Sequence, residues 1–202
     1  MIRTVSFYFG LLPVLFCGYV NAAEVTNALA NLPPELLQPL LREYQQHKHD
    51  LGNSRYVGLL NYRLPSWEPR FYVIDPDEKR VVAAYRVAHG KGSDPDHDGI
   101  AEYFSDREGS YMSSVGLFLT RNTYISNQPA HGLSLRMHGL SNTNSRAQER
   151  NIVIHANDYM EQQFIDTYGV PGRSHGCLVF SATDRDEVVK KLSGGALIYA
   201  AR

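Results

Sequence analysis

The sequence predicts a mainly β domain of the α+β kind, a β-sandwich or open barrel with an N-terminal helix and short peripheral helices. Three observations lead there. From Arg70 onward, short apolar runs of strand length alternate with turns rich in glycine and serine. Helical spacing is confined to one stretch ahead of those runs and two brief ones among them. The chain has no internal repeat and no low-complexity tract, so one sheet-based core is the simplest layering.

The first segment reads as a leader. Met1-Ile2-Arg3 is a short positive start, Val5 to Val20 an apolar run, and Val20-Asn21-Ala22-Ala23 a row of small residues suited to cleavage after Ala22 or Ala23. The run is too short and wrongly flanked for a membrane span. Phe16 before Cys17 argues against lipid attachment there, because a lipoprotein signal wants a small residue at that place. Residues 1–22 are therefore expected to be a signal peptide, placing the mature protein in the periplasm without a transmembrane segment.

About 180 residues then remain, enough for one domain with a proper core. Of 20 basic and 21 acidic residues, only Arg3 leaves with the leader, so the mature net charge is near −2. That balance gives no reason to expect nucleic acid or an anionic membrane as partner.

Residues 24–50 read as helical, with Leu36, Leu37, Leu40, Leu41 and Tyr44 at helical spacing and Pro33-Pro34 placed to start the helix. His47 and His49 fall at its end, where cations suit the macrodipole, and need no metal to explain them. Phe71 to Asp75, the turn Pro76 to Lys79, and Arg80 to His89 read as strand, turn, strand. Further strands are expected at Leu117–Thr120, Leu133–Met137 and Asn151–His155, with a helix over Asp158–Tyr168. Leu178-Val179-Phe180 reads as a buried strand. A short helix to Leu192 is capped by Ser181 or Thr183, Gly194-Gly195 ends it, and Ala196–Ala200 closes the sheet.

Chemistry concentrates at Gly172-Arg173-Ser174-His175-Gly176-Cys177. Cys177 is one of two cysteines, and the other lies in the leader. A lone thiol in an exported protein is a liability unless it is used. A thiol becomes a nucleophile when a base takes its proton and donors hold the oxyanion formed on attack. Two bases offer themselves. His155 ends an apolar strand 22 residues before Cys177, with a ring position fixed by the sheet, whereas His175 shares the loop that presents the thiol. Side chains of adjacent loop residues tend to point apart, so His155 is the expected base.

These residues resemble the L,D-transpeptidase catalytic domain family of the YkuD type, in its second branch. The resemblance is carried by Ile-His upstream and Ser-His-Gly-Cys downstream. It extends over Leu64-Pro65-Ser66, Val73-Ile74-Asp75, Val87-Ala88-His89-Gly90, Gly109-Ser110-Tyr111, His131 to Arg136 and Arg150 to His155. It covers about residues 60–202, which divides the chain into a leader (1–22), an N-terminal helical segment (23–60) and a catalytic domain (61–202). Two features depart from the main branch: Leu178-Val179-Phe180 follows the cysteine where that branch has an apolar residue and then Arg, and the interval between His155 and Ser174 is longer.

The resemblance implies a periplasmic murein enzyme. Cys177 would attack the carbonyl of an L-centre that precedes a D-residue in a peptidoglycan stem peptide, forming a thioester. His155 would be the base, and the Gly176 and Cys177 amides the oxyanion donors. A diaminopimelate side-chain amine would resolve the thioester as a cross-link, or water would make the enzyme an L,D-carboxypeptidase. Arg173, Ser174, Arg136 and Tyr124 are the expected substrate binders. His175 belongs to the catalytic loop, but in this branch its position can be a tryptophan, which cannot be a base. A monomer without cofactor or metal is expected.

Three other readings are open. Asp94-Pro95-Asp96-His97-Asp98-Gly99 resembles the start of a calcium loop, but Ser105 stands where its bidentate glutamate belongs. A zinc peptidase would use His138, His155, His175 and Cys177, although no paired His or Cys spacing supports it. A catalytically silent wall-binding module is the third.

Overall fold

Strand-forming residues dominate the apolar runs, and they assemble into a single eight-stranded sheet of order β3-β2-β1-β8-β4-β5-β6-β7. The computed structural model describes residue 29 and residues 32–202; the leader, its cleavage site and Cys17 lie outside the described residues. In chain order the elements are α1 (Pro34–His47), β1 (Val57–Asn61), β2 (Phe71–Asp75), β3 (Arg80–Tyr85), β4 (Gly116–Ile125), β5 (Leu133–Gly139), β6 (Val153–Ala156), α2 (Gln162–Tyr168), β7 (Leu178–Phe180), α3 (Ala182–Leu192) and β8 (Leu197–Ala201). Of the two architectures expected, the open one is found. β3 and β7 are separate edges, and the sheet curls around its own core.

That core explains the curl. Phe71, Phe118, Leu135, Ile154, Leu178 and Ile198, each from a different strand, form one buried cluster with Val188, Val189 and Leu192 of α3. Helix α3 thus covers this face of the sheet. On the opposite face Leu36, Leu37, Leu40 and Tyr44 of α1 pack against Val57, Leu59, Ile74 and Leu197. Burying a leucine as completely as Leu40 contributes about 1.5–3 kcal/mol. Helix α1 has Pro34 in its first turn, where a missing N–H costs nothing, and Glu35 there pairs with Arg63 at 2.6 Å.

Because the two cores lie on opposite faces, β1 is buried on both. It was not expected from the sequence: Val57-Gly58-Leu59-Leu60-Asn61 shows no alternation, and a central glycine reads as a break. Packing overrides that signal. A Cβ on Gly58 would stand 3.0 Å from both Ile198 and Phe71, so the glycine lets β1 sit tightly between its neighbours.

Other differences have local causes. The helix expected over 158–168 is split into a 3-10 turn at Asp158–Met160 and α2, because Glu161 adopts an extended conformation. Ser181, not Thr183, caps α3, accepting from the Asp184 amide at 3.2 Å. Strand β3 stops at Tyr85 rather than His89. The following residues cross to the other edge of the sheet, where Ala88 N donates to Val179 O and Ser174 N to His89 O, both at 2.8 Å. Among the described residues no helix is long and apolar enough to cross a membrane.

Candidate active site

Cys177 stands one residue before β7, the edge strand, which pairs in parallel with β6 through Ile154↔Leu178 and His155↔Val179. Side chains alternate along strands, so Cys177, Val179 and His155 share a face. Ala88, Val179 and Met160 form a small apolar floor on which Cys177 and Tyr159 rest. Over that floor opens a cavity of about 330 Å³ lined by Cys177, His155, His175, Arg173, Ser174 and further residues. The sheet register, not proximity in sequence, brings Cys177 and His155 to it.

The loop is held by its own hydrogen bonds. Ser174 Oγ donates to Cys177 O at 2.8 Å and accepts from Gly176 N at 3.0 Å. Gly176 has φ +118°, and a Cβ there would meet the Met112 carbonyl at 2.7 Å. Of the two amides expected to hold an oxyanion, the Gly176 N–H is engaged by Ser174 in this arrangement. Among the described residues nothing accepts from the Cys177 N–H, which leaves it as the available oxyanion donor of the pair. Ser174, expected to bind substrate, is buried with its hydroxyl committed inside the loop.

The thiol and the imidazole are both neutral at rest. Burial pushes the Cys177 thiol up, against the opposing pull of the Val153 amide and the Arg150 guanidinium. Its Sγ donates to Asn151 O at 3.6 Å. His155 is 3% exposed, and burial lowers its pKa to about 4, helped by His131 and Arg185 and opposed by the Ala156 carbonyl. That carbonyl accepts from Nδ1 at 2.8 Å, which fixes the tautomer and leaves Nε2 with its lone pair. His131 stacks on the His155 ring at 3.7 Å between centroids, while Arg185 anchors the His131 carbonyl at 2.7 Å. His155 is thus a held, neutral proton acceptor.

His175 is placed differently. Its ring lies outward against Tyr111, 4.6 Å between centroids, with Lys91 over the other partner of that pair. Burial, and then Lys91, lower its pKa. Arg173 lines the cavity and donates to the Asp94 carbonyl.

Arg136 and Tyr124 are not in the Cys177 cavity. Arg136 stacks on Tyr124, 4.1 Å from guanidinium carbon to ring centre, and lines a neighbouring hollow of about 340 Å³. His138 faces that hollow too, bonded to Gln148 at 2.9 Å, so the four proposed zinc ligands do not converge. Among the described residues the one close trio of possible metal ligands is Asp94, Asp96 and Asp98. Asp94 in it is buried and already accepts from His89 at 2.9 Å and from the Asp98 and Gly99 amides.

Sequence reasoning missed Arg150, Asn151, Asn157, Tyr159 and the stacking of His131, all of which border the cavity. Arg150 is the most consequential. It donates to Ser114 Oγ at 2.6 Å, Met112 O at 2.7 Å and Ser105 O at 2.9 Å, pinning the 105–114 segment beside the cysteine loop. Its place directly before the β6 run was the available signal.

A curled open sheet with a cysteine and a histidine on its rim is the architecture of YkuD-type domains. The chain belongs to that family: the L,D-transpeptidase catalytic domain of the second YkuD branch matches residues 29–201. Solved structures resembling it include an L,D-transpeptidase from Mycobacterium smegmatis, 12% identical with a TM-score of 0.44 over 73% of this chain and 59% of that one. Bd1075 of Bdellovibrio bacteriovorus is 14% identical, with a TM-score of 0.48 over 76% and 49%. The helical cell shape determining protein Pgp2 of Campylobacter jejuni is 11% identical, with a TM-score of 0.44 over 80% and 55%. The chain thus spans under two thirds of each of these chains. No curated protein sequence matches it.

Proposed function

We propose that this is an exported peptidoglycan L,D-transpeptidase using Cys177 as nucleophile and His155 as base. Family membership supports the substrate class, and the leader-like residues 1–22 support export to the periplasm. The observation that carries the mechanism is the placement of a partly exposed cysteine and a tautomer-fixed imidazole on one sheet face above one cavity.

The thiol proton passes to His155 Nε2 as sulfur attacks the carbonyl carbon that precedes the D-residue. The Cys177 N–H stabilises the oxyanion. Collapse breaks the C–N bond, His155 returns the proton to the leaving amine, and a thioester remains. A diaminopimelate side-chain amine then attacks the thioester, gives its proton to His155 and expels the thiolate, which recovers that proton. Water in place of the amine makes the same enzyme an L,D-carboxypeptidase.

Intact-protein mass spectrometry with a stem tetrapeptide tests the first half, and product analysis with purified muropeptides the second. Wild type should carry a donor-sized adduct and Cys177→Ala none. An adduct on Cys177→Ala would end this reading. Binding of muropeptides that survives in wild type without any turnover would favour the wall-binding module instead.

A further inference from the structure

We propose that the hollow beside the Cys177 cavity is a carboxylate-binding subsite, built by a β-bulge, for a second part of the peptide substrate. This rests on the reading above. The β4–β5 ladder shifts register between Thr120↔Met137 and Thr123↔Leu135, so Arg121 and Asn122 stand opposite the single residue Arg136. Such a bulge breaks the alternation and re-aims side chains. Here it gathers two guanidiniums and an amide at the mouth of one hollow.

The charge is uncompensated. Among the described residues neither Arg121 nor Arg136 pairs with a carboxylate. The Arg136 guanidinium carbon also lies over the Tyr124 ring, 4.1 Å from its centre, which limits the freedom the side chain would lose on binding a planar carboxylate.

The hollow is joined to the reaction cavity. Asn151 lines both, and its carbonyl accepts from the Cys177 thiol. Arg136 pairs with Val153 across β5 and β6, and one step back from Ile154↔Leu178 sets Val153 opposite Cys177. The three form a row across the sheet, with Arg136 two strand spacings, about 10 Å, from the nucleophile. An extended peptide covers that distance in roughly three residues. The subsite therefore reads an anionic group about that far from the acylated carbonyl, or the carboxylate of an incoming amine acceptor.

The test uses the full chain with Arg121→Gln and Arg136→Gln, alone and together. Acylation of Cys177 by a stem tetrapeptide is followed by mass spectrometry, beside the same peptide with its side carboxylates amidated. The double variant should lose at least tenfold in kcat/KM for the native peptide, mainly through KM, and change less than twofold for the amidated one. If acylation is untouched but transfer to an amine acceptor falls tenfold, the subsite serves the acceptor. Equal losses with both peptides and no loss of transfer specificity, or no change anywhere, overturn the proposal. Calorimetry of the native peptide on Cys177→Ala, with and without the arginines, separates this from the cysteine reading. Binding weakened by the arginine changes supports the subsite even if wild type never forms an adduct, and unchanged binding together with unchanged transfer refutes it.

Discussion

The Cys177 thiol donates its proton to the carbonyl of Asn151, at 3.6 Å, and not to His155. Asn151 holds this position with a backbone φ of +54°, in the left-handed region that asparagine tolerates better than most residues. Burial raises the thiol pKa as well, so the resting sulfur favours its protonated form. On the mechanism proposed above, nucleophilicity arises when the donor displaces that contact and the proton moves to His155 Nε2.

His155→Ala should lower turnover by about two to four orders of magnitude, the scale of a positioned base. His175→Gln should retain measurable turnover, because the His175 ring is taken up by Tyr111 while His155 shares the sheet face of Cys177. The pH dependence of Cys177 alkylation, run beside turnover, decides the roles. A shift caused by His175→Gln and not by His155→Ala would exchange them.

Burial holds both His89 and His155 near a pKa of about 4, against about 6.5 in an unfolded chain. Between these values the unfolded chain binds protons that the folded protein does not, so stability is full above pH 6.5 and falls as pH drops towards 4. Calorimetric Tm should decline steadily through that window. The acid limb of kcat/KM should lie near pH 4 rather than 6.5, and a limb at 6.5 would mean that His155 is not the base.

Gly176→Ala should be folded poorly or inactive. Its φ of +118° strains any side chain by about 1–3 kcal/mol, and the added methyl would press on the Met112 carbonyl. Urea midpoints should fall, and residual folded protein should acylate slowly. Wild-type acylation in this variant would show that the loop geometry is dispensable.

Arg150→Met should cost about 2–4 kcal/mol, since it leaves the Met112 and Ser105 carbonyls without their charged donor. It should also raise the thiol pKa further by removing the nearest favourable charge. Arg150→Lys should recover part of the charge effect but little of the stability, because one ammonium cannot span the same acceptors. Denaturation and alkylation profiles together read both effects.

Much of this was legible because the sheet announces itself. Phe71–Asp75, Leu133–Met137 and Leu178–Phe180 are apolar runs of strand length bounded by turns, and the strands fall on them. Cys177 and His155 stood out as a lone thiol and a polar strand end. What escaped depends on contacts between distant segments. Strand β1 is set by burial on both faces, and the cavity wall by Arg150 reaching carbonyls some 40 residues earlier. Arg136 was expected among the substrate binders of the cysteine site, but the β4 bulge sets it on the neighbouring hollow, a placement no sequence pattern announces.

The order of the sheet also sets a timetable for synthesis. Strand β8 is the latest of the described strands, yet it stands between β1 and β4 and joins the β1–β3 half to the β4–β7 half. Gly58 waits for Ile198, roughly 140 residues later, which at ordinary translation speed is on the order of ten seconds. Until then β1 and β4 both present bare, apolar edges of the kind that invite aggregation. Until β8 is available no strand joins the β1–β3 half to the β4–β7 half, so closure of the described sheet waits on it.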